Sequence, residues 1–137
     1  MIEPFPTPQD AEDAYYDAID ERDLDGMMRV WEDSNEILCL LPMHPAQRGR
    51  TSVRQAWEPL LTGDIRLEIE IKHLSWIETG DLAIHLIEEQ VQVPGQAEKQ
   101  SVYATNIFRR GTEGWYLLMH QNSPTPPPPG LQMPDMP

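Results

Sequence analysis

One cysteine, Cys39, occurs among 137 residues. A lone thiol excludes an intramolecular disulfide framework and any cysteine-based zinc site. Basic residues are scarce as well: ten Lys and Arg stand against 23 Asp and Glu, a formal net charge of -13 at pH 7. Phosphate recognition needs a basic footprint, so neither nucleic acid nor an anionic membrane is expected as a partner. Solubility is the plain reading of that acidity. The opening MIEPFPTPQD has no basic start and no apolar run, so no secretory signal is expected. No apolar stretch approaches a membrane span. Together these absences predict a cytoplasmic protein. Also missing are His-x-His and His-x-x-x-His pairs, a Gly-rich phosphate loop, a Gly-x-Ser-x-Gly elbow and a dinucleotide fingerprint. No metal or cofactor is therefore expected, and a three-ligand site of His44, Glu88 and a further group is the one metal arrangement left conceivable.

What is present suffices for one domain with its own hydrophobic core. Residues 1–9 read as an extended Pro-rich start, residues 10–124 as the domain, and residues 125–137 as a Pro-rich tail expected to be polyproline II or disordered. Ala11, Ala14, Tyr15, Ala18 and Ile19 recur at helical spacing, with Thr7 or Asp10 as cap. ERDLDG breaks that helix, and LDGMMRVWED forms a second with Leu24, Met27, Met28 and Trp31 inward. NEILCLLP is a short strand, MHPAQRGR a loop, and TSVRQAWEPLL a third helix capped by Thr51 or Ser52, with Pro59 awkwardly late in it.

Strands follow. DIRLEIEIKHLSWIE alternates, with Ile65, Leu67, Ile69 and Ile71 on one face; LAIHLIEEQVQV, QSVYATNIFRR and WYLLMHQNS complete a meander. Helices first and antiparallel strands after predict an α+β fold in which a curved sheet wraps around the helices. The sheet's other face is apolar enough to need covering, and a second copy of the chain is the simplest partner.

In VYATNIFRR, Val102, Ala104, Asn106 and Phe108 share one face. A buried amide without partners costs about 1–3 kcal/mol. Asn106 therefore either bonds within the core or meets water or a ligand in a cavity. Tyr15, Tyr16, Trp31, Trp57, Tyr103 and Phe108 read first as core, and second as walls suited to a flat apolar ligand. Arg48 and Arg50 read as a solvated pair, as groups holding carbonyls at a helix end, or as an attractor for an anionic group.

Tyr15 followed by Arg22-Asp23-Leu24, the strand LCLLPMHP, RGR before the third helix, the turn TGDLAI and ATNIFRRGTEGWYLLMHQNSP stand in an order and spacing that resembles the SnoaL-like branch of the NTF2-like superfamily, which includes ketosteroid isomerases. The resemblance spans roughly residues 10–124. It implies a cystatin-like cone, with N-terminal helices packed in the concave face of a curved, mostly antiparallel sheet. It also implies a cavity between helices and sheet, and a homodimer through the convex face. In ketosteroid isomerases a helix-one Tyr and a protonated late-strand Asp hold the oxyanion, and a first-strand Asp shuttles the proton. Tyr15, Asn106 and Cys39 match these positions, and Trp31 and Trp57 match two pocket aromatics. Asn106 donates without a raised pKa, so with Tyr15 it can still hold a carbonyl oxygen. Cys39 is a poor base and reads as packing, so ketosteroid isomerase activity itself is not expected.

By parity Glu88 shares a face with Ile84, Leu86 and Gln90, which the resemblance puts inside, where a carboxylate is a natural general base. A one-residue shift or a bulge would instead turn Glu88 outward and Glu89 inward. His44 is expected at the cavity mouth, as an acid-base group or as a loop histidine between two prolines. Strict alternation puts Leu117, Met119 and Gln121 on the cavity face and His120 toward the dimer surface. The expected site is thus Glu88, His44, Tyr15 and Asn106, lined by Trp31, Cys39, Trp57, Leu86, Met119 and Gln121. It would act on an apolar small molecule with a carbonyl, by proton transfer next to that carbonyl, as a cofactor-independent isomerase, cyclase or dehydratase. The alternative is a non-catalytic ligand-binding or association module, which the loss of an aspartate at Cys39 favours.

Overall fold

Thr7 starts the first helix as the sequence predicts: its hydroxyl accepts the Asp10 N–H at 3.1 Å. Helix α1 (Pro8–Glu21) carries proline at its first turn, where a missing N–H is harmless. It ends at Arg22, which turns left-handed (φ 57°) so that its N–H reaches back to Ala18 and Ile19. Asp23 then caps α2 (Leu24–Val30), accepting from Gly26 N at 3.0 Å. The computed structural model describes residues 4–126, so the predicted tail beyond Pro126 lies outside the described residues. Among the described residues no helix is long and apolar enough to cross a membrane.

β1 (Leu38–Leu40) pairs with β2 (Gln47–Arg48), a short strand inside the expected loop. α3 (Arg50–Thr62) begins one residue after Gly49, not from a Thr51 or Ser52 cap. Gly49 has φ 84° and ψ 163°, a conformation nearly reserved for glycine, and no side chain caps the helix. Pro59 sits inside α3, one turn before its end at Gly63. Arg50 closes the C-terminal end of α2, donating to the Trp31, Glu32 and Met28 carbonyls at 3.0, 3.2 and 2.9 Å. The helix-end reading of this arginine therefore holds. Arg50→Met keeps the apolar stem and frees those carbonyls. We expect it to cost about 1.5–3 kcal/mol, read as a lower urea midpoint at unchanged slope.

Four long strands follow: β3 (Glu68–Thr79), β4 (Leu82–Gln92), β5 (Gln100–Arg110) and β6 (Trp115–Pro124). The sheet order is β2-β1-β6-β5-β4-β3, antiparallel except where β1 meets β6. This is the predicted α+β plan, a mostly antiparallel curved sheet with the helices against one face. The core between them is built on Ala11, Tyr15, Ile19, Met27, Trp31, Val53, Trp57, Phe108 and Leu117.

Two bulges decide which residues face that core. In β3, Leu74 is extra between the pairs His73–Ile87 and Ser75–Leu86. In β6, Leu118 is extra: Leu117 pairs with Phe108, and Met119 with Ile107. The second bulge reverses the alternation and brings His120, 1% exposed, inside opposite Asn106.

Candidate functional site

Between α1, α3 and one end of the sheet lies a cavity of about 230 Å³. Its walls are mostly apolar, among them Ile19, Leu41, Trp57, Leu60, Ile69 and Val102. Tyr15, Glu89, His120 and Asn122 bring polar atoms to it, and the exposed His44 lines it from the loop after β1. α1 delivers Tyr15, at helical spacing from Ala11 and Ala18. β4 delivers Glu89, β6 delivers His120 and Asn122, and the bulge at Leu118 puts the last two on the inner face.

These groups form one hydrogen-bonded network. Glu89 accepts from the Tyr16 hydroxyl at 2.7 Å and from Asn122 Nδ2 at 2.9 Å. Asn106 Nδ2 donates to Glu12 Oε2 at 3.1 Å and to the Tyr16 hydroxyl at 3.3 Å. Asn122 Nδ2 also donates to the Tyr103 carbonyl at 3.2 Å. Both amides are thereby fixed in orientation, because their NH2 groups meet acceptors. Their carbonyls then face His120: Asn106 Oδ1 lies 2.6 Å from Nδ1 and Asn122 Oδ1 2.9 Å from Nε2. A neutral imidazole has one N–H for these two acceptors. Glu89 Oε2 stands 4.0 Å from Nε2.

Burial pushes the His120 imidazole below its ordinary value; the Glu89 charge and the Asn122 carbonyl pull it partly back. The unfolded chain thus binds this proton more readily than the folded one. His120's contribution to stability is full above the ordinary value of 6.5 and declines as pH falls below it toward the lowered folded value. His120→Gln should flatten the loss of stability between about pH 6.5 and pH 5. Urea midpoints of both proteins at pH 7.5 and pH 5 check this. Burial, then the Glu89 charge, raises the Tyr15 hydroxyl well above its ordinary range, so it stays a protonated donor. It makes no hydrogen bond among the described residues.

The expected site is partly redrawn. Tyr15, Trp57 and His44 line the cavity. Asn106 faces inward, 1% exposed, but its donors are committed to Glu12 and Tyr16 and its carbonyl to His120, so it does not line the cavity as an oxyanion donor. Glu88 and Leu86 turn to the opposite face, Leu86 being 37% exposed, and Glu89 faces in. The reason is register: His85, Ile87 and Glu89 pair with Asn106, Ala104 and Val102, the inner face of β5. Met119 and Gln121 go outward with the β6 bulge, and His120 comes in rather than lying on the outer surface. Trp31 and Cys39 are closed in the core, not in the cavity. Burial pushes the Cys39 thiol up to about 12, although the nearby Trp57 indole pulls it partly back; this thiol is inert packing.

A second polar cluster lies on the far side of Asn106. Glu12, wholly buried in α1, meets His73 Nε2 at 2.5 Å and His85 Nδ1 at 2.9 Å. Burial would raise its carboxyl, but the hydrogen bonds from His85, His73 and Asn106 outweigh that and hold it below the ordinary value. The sequence reading missed Glu12, because one acidic residue among several in an acidic helix carries no signal. It attached nothing to His73 and His85, which are 61 and 73 residues from Glu12.

Residues 9–127 match the SnoaL-like domain family. A crystal structure from Thiobacillus denitrificans ATCC 25259, provisionally described as a calcium/calmodulin-dependent protein kinase type II association domain, is 31% identical, covering 91% of this chain and 100% of its own, with a TM-score of 0.84. One from Streptomyces avermitilis, provisionally described as a dehydratase of the NTF2-like family, is 24% identical, covers 84% and 91%, and has a TM-score of 0.74. A ketosteroid isomerase-like protein from Erwinia carotovora atroseptica SCRI1043 is 14% identical, covers 87% and 94%, and has a TM-score of 0.68. The last two share the fold alone. No curated protein matches the chain.

Proposed function

The chain belongs to the SnoaL-like domain family, and on that premise we propose that its cavity binds a small apolar molecule bearing a carbonyl and moves a proton next to it, without a cofactor. The observation that carries the reading is His120 held between two amide carbonyls with Glu89 beside it, at the wall of an apolar cavity. A proton arriving at this pair finds acceptors already in place, so little reorganisation accompanies the transfer. Glu89 is the general base: it takes the proton from the carbon next to the carbonyl. The electron pair left behind moves onto the carbonyl oxygen, which the Tyr15 hydroxyl holds. Return of the proton to the same or a neighbouring carbon completes an isomerisation or exchange. At about 230 Å³ the cavity is below the usual range of about 300–1,000 Å³ for drug-sized ligands, so one- or two-ring substrates fit best.

The test is a panel of cyclic and aryl ketones in D2O, with α-proton exchange followed by NMR. We expect exchange above buffer for those that bind. Neither binding nor exchange across the panel overturns the reading.

A second reading, an association module, draws on the provisional description of the 31% identical relative and on the outer sheet face, where Ile77 and Leu82 are exposed beside Leu86. Under it the chain is a homodimer or larger assembly through that face. Sedimentation of the wild type and Leu86→Glu tests it: a monomer in both cases removes it.

A further inference from the structure

We propose that Glu12, His73 and His85 form a binding site for one divalent transition-metal ion of zinc type, separate from the cavity. The three side chains come from α1, β3 and β4. Their potential ligand atoms, one carboxylate oxygen and two imidazole nitrogens, all lie within 4.8 Å of one another. A carboxylate with two imidazoles is a donor set that zinc-type ions take, with a further position left for water. Tetrahedral bonds of about 2.0–2.1 Å place neighbouring ligand atoms about 3.3 Å apart. His73 meets Glu12 Oε1 at 2.5 Å and His85 meets Oε2 at 2.9 Å, so these contacts have to open by less than about 1 Å, while the wider separations, none above 4.8 Å, have to close by about 1.5 Å at most. His73 can supply that movement: β3 is the edge strand, the bulge at Leu74 follows it directly, and its side chain is 29% exposed. The same edge provides the way in for the ion.

The surroundings are those of a supported site. Asn106 Nδ2 orients the Glu12 carboxylate at 3.1 Å. Trp76 stacks on His85 with centroids 5.1 Å apart and meets His73 edge-on at 4.7 Å, so both rings are held by packing. Glu12 is wholly buried, and a buried carboxylate calls for a charge partner or a metal. His73, His85 and Asn106 occupy its oxygens at 2.5, 2.9 and 3.1 Å, so the ligand atoms are already gathered at one point.

Untagged, full-length protein stripped with chelator and titrated with Zn²⁺ in a calorimeter is expected to bind one ion per chain. Co²⁺ in its place is expected to give a visible d–d band. His73→Gln, on the partly exposed edge strand, is expected to lose the band and weaken Zn²⁺ binding by more than tenfold while keeping the wild-type circular dichroism. His44→Gln and Tyr15→Phe are expected to bind as the wild type does. No saturable binding overturns the proposal. So does binding that survives His73→Gln, or that is lost in His44→Gln. Because Tyr15→Phe alters the cavity and not this cluster, failure of either site leaves the other standing.

Discussion

Glu12→Ala is expected to remove about 3–5 kcal/mol of folding stability, the largest loss we expect from any single substitution outside the apolar core. Glu12 is wholly buried, and both oxygens accept from other elements: Oε1 from His73, Oε2 from His85 and Asn106. Removing the carboxylate orphans two buried donors, on His85 and Asn106, and one on the half-buried His73, and each buried orphan costs about 1–3 kcal/mol. Against a usual total of about 5–15 kcal/mol the domain should be near its limit. Glu12→Gln keeps the shape and loses less, since an amide oxygen still accepts from one imidazole. Urea unfolding in chelator at pH 7 reads the difference free of any metal contribution. The sign with pH follows from the lowered carboxyl: its contribution is complete above the ordinary value of 4.5 and vanishes as pH falls through the folded value. The gap between wild type and Glu12→Ala should therefore be widest near neutrality and shrink in acid. A loss below about 1 kcal/mol at pH 7 would mean the three partners find other bonds.

Where the sequence is legible follows from contrast between faces. β5 is legible because Val102, Ala104, Asn106 and Phe108 alternate with more polar neighbours, and all four point as the alternation demands, with Asn106 among the most buried groups. β4 is not, because LAIHLIEE has apolar residues on both faces. Leu82, Ile84 and Leu86 look no less like core than Ala83, His85 and Ile87, and only pairing with β5 breaks the tie. That one ambiguity exchanges Glu88 for Glu89. β6 fails differently. Its alternation is read correctly up to Leu117, and one extra residue at Leu118 then reverses everything after it, so His120 and Asn122 come in while Met119 and Gln121 go out. Bulges leave no compositional mark. The polar network compounds the difficulty, since the bonds that tie Glu12 and Tyr16 of α1 to the sheet span 61 to 94 residues of chain. Helix caps, by contrast, are local: Thr7 is foreseen, and Gly49 displaces the expected Thr51 or Ser52 only because its positive φ turns the chain directly into α3.

The same parity question gives the sharpest functional prediction. On a ketone that exchanges its α-protons in the cavity, Glu89→Gln should slow exchange by about 10²–10⁴-fold, the usual contribution of a positioned general base, with little change in ligand affinity. Glu88→Gln should leave exchange unchanged, because that side chain faces away from the helices. The amide introduced by Glu89→Gln has the carboxylate's shape and an oxygen that still accepts from the network, so the variant loses chiefly its basicity. Tyr15→Phe removes a donor that makes no other hydrogen bond among the described residues. It should therefore weaken ketone binding by about tenfold, as expected for one hydrogen bond of about 1–1.5 kcal/mol, and should slow exchange further if the bond tightens on the enolate. His120→Gln separates the base from its partner: exchange should persist at reduced rate and lose the pH dependence that the imidazole contributes. Exchange that survives Glu89→Gln at wild-type rate places the base elsewhere, with His44 and His120 the histidines on the cavity wall. Ligand binding with no exchange in any protein instead favours the non-catalytic reading, in which the His120–Glu89 pair serves only to hold α1 against the sheet.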